Sequence, residues 1–492
     1  MSRKEKLFAE FPPVSTKEWM DKIIADLKGD DFNKRLIWRP IEGFEVKPFY
    51  RSEDCTGLFA SQPSARGGNR WRVRQNISVS DYTAGNRKAL EILMKGVDSI
   101  GFIISDPDSI NSAGFEKLLK DIHFESIETS FNTGGKANEI LGIFIDILSS
   151  GGADLKNVTG AIEADPLGRL MLNGKLCISF EAGLDYLADL TILSEPLRNF
   201  RTVRVGAFNF ANAGGDVVQE LAFGLAMGNE YMSVLTDRKI SPGLAASKIG
   251  FTFATGSNYF FEIAKLRAAR LLWTVITEKY NLHDQNSGRM DIHCVTSEWN
   301  KTVYDPFANL LRTQTEAMSA ALGGADTITV EPYDIVFRTP DEFSERIARN
   351  QQLLLREEAY FDKVTDPAGG SYYIENLTSM IAGKAWELFI QIEEKGGFTK
   401  ALKDGFIQSK LKDTAEKRIS DISECREILL GTNLYPDLNE TPKERPVEKE
   451  VKIEKAAKGE LTIEPIRIFR GAEQIEKLRM AADKAGKIDL KA

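Results

Sequence analysis

The residues able to do chemistry in this chain are few, and their spacing suits none of the common reactions. There are three histidines, His123, His283 and His293. None stands in the HxxxH or HExxH spacing that puts two imidazoles on one helix face, so no zinc site is indicated. His293 lies in the run Asp291 to Ser297, where a period of two turns it to the same side as Asp291 and Val295. A histidine so placed is either catalytic or a hydrogen-bonded structural side chain, and its position alone leaves both open. His123 falls at the entry of a short β-like run. No GxSxG elbow is present. The Gly134 to Lys136 run, GGK, lacks the GxxxxGK[ST] spacing of a phosphate loop. Cys55, Cys177, Cys294 and Cys425 are scattered without a CxxC pair and read as free thiols of a reducing cytoplasm. No metal site is expected.

Any side chain that acts here must therefore be positioned by the fold. From residue 70 onward, short β-rich runs alternate with longer helical ones. The runs are Arg72 to Ser78, Ser99 to Ser105, Phe124 to Ser130, Val158 to Ala164, Thr202 to Phe208, Lys248 to Thr255, Asp291 to Ser297 and Asp326 to Pro332. Between them, stretches such as Tyr259 to Tyr280 carry apolar residues at helical spacing. Eight β-then-α units predict an α/β fold of the (β/α)8 TIM-barrel type over residues 51–390. An open doubly wound sheet would carry a glycine-rich turn after its first strand, and none is there. A packed barrel has side chains filling its axis, and Val73, Ile103, Ile162, Phe253 and Val295 are the candidates.

Residues 1–50 read as an arm: one amphipathic helix over Thr16 to Leu27, flanked by proline-rich extended stretches. It carries Phe8, Phe11, Trp19, Trp38 and Phe44 with too little chain to bury them, which predicts subunit association. Residues 391–440 read as a helical extension, and 441–465 as a linker of Lys, Glu and Pro. Residues 466–492, with a helix pattern at Ala472 to Ala485, read as the start of a missing C-terminal domain. The net charge of −8 argues against nucleic acid, and no apolar run reaches the length of a membrane span.

A family resemblance enters at Arg346 to Ser371, RIARNQQLLLREEAYFDKVTDPAGGS. This segment resembles the methylmalonyl-CoA mutase family: an RIARN start, paired glutamates, then K-x-x-D-P-x-G-G-S. Thr296 to Val330 is similar to the family's strand-to-helix segment, with its Trp, Asp-Pro, Asn-x-x-Arg-Thr and Gly-Gly. Trp71 to Val79 resembles the family's first barrel strand, and Phe208 to Tyr231 the segment after its fifth. The resemblance covers roughly residues 10–430. It implies a barrel followed by a flavodoxin-like cobalamin domain, and a radical isomerisation of methylmalonyl-CoA to succinyl-CoA with adenosylcobalamin.

The chain departs from that pattern where the family's reactive groups stand. The first-strand Arg-Gln-Tyr is here Arg74-Gln75-Asn76, so the tyrosine is absent. The run Gly-Tyr-His-Met-Gln-Glu is here Gly215-Asp216-Val217-Val218-Gln219-Glu220, so Val217 replaces the histidine. The cobalamin motif DxHxxG is missing. Asp121 to Ser126 is a partial match inside the barrel, with serine in the glycine's place. The resemblance thus implies a non-catalytic small subunit of a heterodimer, with no cofactor of its own and a truncated remnant of the flavodoxin-like domain. The large catalytic subunit would be its partner and would bind adenosylcobalamin. The alternatives are the catalytic barrel of an isobutyryl-CoA-type mutase with a separate cobalamin-binding chain, or a scaffold protein.

Overall fold

The structure, a computed structural model, describes residues 10–55, 68–104, 106, 110–282, 288–440 and 461–484. His283 and most of the charged stretch 441–465 lie outside the described residues. The eight strands are β1 (Arg72–Val79), β2 (Ser99–Ile104), β3 (Glu128–Asn132), β4 (Thr159–Ala164), β5 (Asn199–Gly206), β6 (Ile249–Thr255), β7 (Asp291–Thr296) and β8 (Thr327–Thr329). Each pairs in parallel with the next, and β8 returns to β1, closing the expected (β/α)8 barrel. Two boundaries differ from the sequence reading. β3 starts at Glu128 rather than Phe124, because Ser126 N–H bonds to His123 O and turns the chain first. β5 ends at Gly206, after which Phe208 opens a short helix, Phe208–Asn212.

The apolar core lies between the barrel and its helices. Phe131 of β3 meets Phe144 of the Ala137–Ser150 helix at 5.1 Å, and Phe144 meets Phe200 of β5 at 5.8 Å. All three rings are fully buried. Each stabilises the fold by about 1.5–3 kcal/mol relative to an exposed ring.

The barrel axis corrects the expectation of an apolar filling. Val73, Ile162 and Phe253 belong to the outer core, and only Ile103 and Val295 line the interior cavity. The reason is parity: with a side-chain period of two, an offset of one residue exchanges the faces of a strand. The inward set is polar and ion-paired. Arg74 Nη2 bonds Glu163 Oε1 at 2.9 Å, and Ser130 Oγ donates to the same oxygen at 2.7 Å. Arg204 Nη1 meets Asp291 Oδ2 at 2.7 Å. Thr327 Oγ1 donates to Glu128 Oε2 at 2.7 Å.

The family-like segment braces β1 from outside. It forms the helix Glu342–Leu353, then one π-helical turn, Leu354–Glu358. Arg349 Nη1 donates to Gln75 Oε1 at 2.8 Å, and Gln75 Nε2 donates to Glu345 Oε2 at 3.1 Å. Trp71 Nε1 donates to Gln352, and Arg356 pairs with Asp98 at 2.8 Å. Arg74, Gln75 and Asn76 thus alternate in, out and in, with Gln75 the structural member.

Both ends of the described chain lie on the barrel. The Trp38 ring packs at a tilt against Phe261, centroids 5.1 Å apart, and Val46 is buried. By contrast, the Thr16–Asp26 helix has a complete capping box at Ser15 and Glu18 but no buried residue. At the other end, residues 461–471 run along the rim of the barrel as a strap. Ile463 N–H bonds Gly174 O, Ile466 N–H bonds Met171 O, Phe469 N–H bonds Asn212 O and Gly471 N–H bonds Trp299 O. The Glu473–Lys484 helix follows, tied to the barrel through Glu476 and Asp483.

Candidate functional site

A cavity of about 740 Å³ opens at the C-terminal ends of the strands, the end where barrel enzymes carry their sites. Its volume is that of a small-molecule pocket. The floor holds Arg74, Asn76, Glu163, Arg204, Thr252 and His293, and the upper walls include Ile103, Leu172, Leu176 and Val295.

His293 is saturated. Its Nε2 lies 2.8 Å from Thr329 Oγ1. Its Nδ1 faces Thr252 Oγ1 at 3.3 Å and Arg74 Nη1 at 3.4 Å. Since Arg74 can only donate, Nδ1 accepts and Nε2 carries the proton. Burial, then the charges of Arg74 and Arg204, hold its pKa well below the usual histidine value. It is a neutral structural histidine. His123 is exposed in the turn before β3, away from the cavity.

Burial pushes the Asp165 carboxyl up, against donors that favour its charge. It caps the Pro166–Asn173 helix through Gly168 N–H at 2.9 Å. It also accepts from Gly206 N–H at 3.0 Å and Tyr231 O–H at 2.5 Å. Asp165 therefore locks the loops after β4 and β5 together from the wall of the cavity.

Asn76 sits on the floor, over Gly101. Val217 does not line the cavity. It opens the Val217–Asp237 helix, buried in the apolar core behind the cap of Asp216. Asn76 and Val217 are thus not brought together around one void. Glu220, from the same run, is structural: it accepts from Ala254 N–H of β6 at 2.6 Å and pairs with Lys265 at 2.5 Å.

A carboxyl pair, Glu42 and Asp216, lies where the arm meets the barrel. Burial, then the charge of Asp216, push Glu42 up to about 8, with Glu262 adding and Arg418 opposing. Its Oε2 is buried without a hydrogen-bond partner. The folded pKa thus exceeds the unfolded value of 4.5. This contribution to stability is complete below the unfolded value and is lost as pH rises through the folded one. Glu42→Gln is expected to flatten the fall in thermal stability between about pH 5 and pH 9. Above pH 8 the variant should melt higher than the parent. Parallel melting curves for the two proteins would refute the assignment.

Comparison with known proteins identifies the family. The methylmalonyl-CoA mutase profile matches residues 108–485. The chain belongs to the methylmalonyl-CoA mutase family. It is 44% identical to the methylmalonyl-CoA mutase small subunit of Porphyromonas gingivalis over 98% of this chain and 79% of that one. It is 32% identical to the small subunit of Streptomyces virginiae, over 89% of this chain and 73% of that one. Against the large subunit of P. gingivalis the identity is 31%, over 84% of this chain and 62% of that one. The family is one of isomerases that generally depend on cobalamin.

Among the described residues no cluster of histidine, cysteine, aspartate and glutamate could hold a metal ion, and no helix is long and apolar enough to cross a membrane. The described histidines do not fit a corrin either: His293 is enclosed by its own partners and His123 faces away. Sequence reading missed the ionic floor, although Arg74, Glu163, Arg204 and Asp291, charged residues inside otherwise strand-like runs of β1, β4, β5 and β7, signal it.

Proposed function

We propose that this chain is the non-catalytic small subunit of an adenosylcobalamin-dependent methylmalonyl-CoA mutase of the cytoplasm. The isomerisation and the cobalamin would belong to a large catalytic subunit. The observation that carries the reading is the chemistry of two positions. Asn76 stands where the family's catalytic chains have tyrosine, and Val217 where they have a proton-donating histidine. A valine neither donates nor transfers a proton, and the floor histidine is committed to its neighbours.

The heterodimer has support from the surface of the arm. The Thr16–Asp26 helix buries nothing, and Phe11, Trp19 and Ile24 are exposed. An eleven-residue helix is marginal in water by itself, and exposed aromatics at this density suit a permanent interface.

The test is co-expression with a large mutase subunit. The isolated chain should neither bind adenosylcobalamin nor turn over methylmalonyl-CoA. A chain lacking residues 1–45 should lose co-purification. Turnover by the isolated chain, or with an added cobalamin-binding protein, would favour the isobutyryl-CoA-type reading. Undiminished association after removal of the arm would reject the arm as the interface.

A further inference from the structure

We propose that the strap closes a side gate of the barrel cavity, with residues 461–468 as its detachable part. The gate is the far end of the Pro166–Asn173 helix and the turn that follows it. Leu172, Asn173, Leu176 and Ile178 of this segment line the cavity. The near end of the helix is fixed. Asp165 accepts from Gly168 N–H and Gly206 N–H, and Leu167 N–H donates to the Tyr231 hydroxyl at 2.8 Å. The far end has no such anchor. Residues 175–178 make no hydrogen bond to any other described residue.

The strap supplies the missing partners. The last carbonyls of a helix have no donor within it. Here Met171 O accepts from Ile466 N–H at 3.0 Å, and Gly174 O from Ile463 N–H at 2.8 Å. Gly174 has φ +73°, and a Cβ there would lie 2.8 Å from Ile463 O and 3.3 Å from Pro465. The bare glycine lets the strap run flush against the turn. Ile463 and Ile466 are buried, whereas Glu464, Pro465 and Arg467 are exposed.

The two halves of the strap are held unequally. From Phe469 onward it is fixed by the Trp299 ring at 5.2 Å and by the buried pair of Arg470 and Glu476. The loops it crosses there are also joined without it. Glu298 N–H and Ser297 Oγ both donate to Asn212 Oδ1, at 3.1 and 3.3 Å. Over the helix end, the hold rests on two isoleucines, two backbone bonds, and Gln408 Nε2 donating to Glu464 O at 2.9 Å. Among the described residues, no buried ion pair adds to it. Segments with fewer buried contacts open before the rest of a fold. Release of 461–468 strips two carbonyls of their donors, frees the helix end to swing about Asp165, and parts the cavity wall at Leu172 and Leu176.

The test places a reporter thiol inside the cavity. Val295 lines the interior, whereas Cys425 is exposed outside it and serves as the reference. The full-length chain carrying Val295→Cys and Cys177→Ser is labelled with fluorescein maleimide, and each site is followed by mass spectrometry. Ile463→Ser with Ile466→Ser loosens the clasp without touching the anchor. Gly174→Val displaces it through the added side chain. Either change is expected to speed labelling at position 295 about ten-fold and to leave Cys425 unchanged. Hydrogen exchange of residues 166–178 should accelerate together with 461–468, while 469–484 and the eight strands keep their protection. Unchanged labelling at position 295 in both clasp variants overturns the proposal. So does unchanged exchange of 166–178 in a chain whose residues 461–468 exchange freely. Loss of protection across the strands in both variants overturns it too, because 461–468 would then belong to the barrel's own stability and not to a detachable clasp.

Discussion

Replacing Lys265 by methionine is expected to leave a chain that does not reach a stable native state. Lys265 is fully buried on the Tyr259–Glu278 helix, 2.5 Å from Glu220 Oε2 and 2.5 Å from Glu262 Oε2. It also donates to Ala254 O at 2.7 Å. Burial works against its charge, but the two carboxylates outweigh it and keep the ammonium form. One cation thus serves two anions. Burial and the neighbouring Glu262 push Glu220 up to about 7, since the second negative charge is only partly compensated. Methionine removes the only ammonium and leaves two buried carboxyls facing each other. Breaking such a group by deleting one side typically costs about 3–5 kcal/mol, a large part of the stability of an ordinary domain. Urea denaturation should show the midpoint collapse, or the protein should appear in the insoluble fraction. Lys265→Met with Glu220→Gln and Glu262→Gln removes the charges together and should recover much of the loss. A Lys265→Met protein with an unchanged midpoint would show that the cluster is not ionised.

These glutamates show where sequence reading stops. All eight strands were legible because β-branched and aromatic runs stand between helical periods. The family was legible because the segment from Arg346 to Ser371 is a long unbroken match. The structural meaning of that segment was not legible: only the folded chain brings Arg349 to Gln75 and Gln352 to Trp71, across more than 270 positions. The cavity floor was hidden for a related reason. Arg74, Glu163, Arg204 and Asp291 come from four strands, and their pairing depends on barrel register, which local pattern does not fix. Asn76 could be singled out by comparison with the family motif, but not the glycine beneath it or the Arg74 guanidinium beside it, which Glu163 holds in place. Val217 was found in the same way, yet the fold turns it into the core rather than the cavity.

The strap and the helix that follows it, residues 461–484, yield the second large expected effect. Glu476 and Arg470 are both buried, with Arg470 Nη2 2.7 Å from Glu476 Oε2. Each also ties the strap to the loop after β7. Glu476 Oε1 accepts from Val303 N–H at 2.7 Å, and Arg470 Nη1 donates to Lys301 O at 2.9 Å. Around the pair, Trp299, Ile422, Leu429 and Ala472 form a small apolar cluster separate from the main core. Arg418 stacks on the Trp299 ring at 4.1 Å, and Arg479 on the Tyr304 ring at 3.8 Å. Glu476→Ala leaves the Arg470 guanidinium buried beside a void and Val303 N–H without its acceptor. The expected loss is about 3–5 kcal/mol at the strap. Because the pair joins the strap to the loop after β7, the strap should detach before the barrel unfolds. Hydrogen exchange of residues 461–484 should then accelerate strongly while the eight strands keep their protection. Arg470→Met combined with Glu476→Leu removes both charges while keeping bulk, and should hold the strap in place far better than Glu476→Ala. Slow exchange of the strap in Glu476→Ala would mean that its backbone ladder along Gly174, Met171, Asn212 and Trp299 suffices without the ion pair.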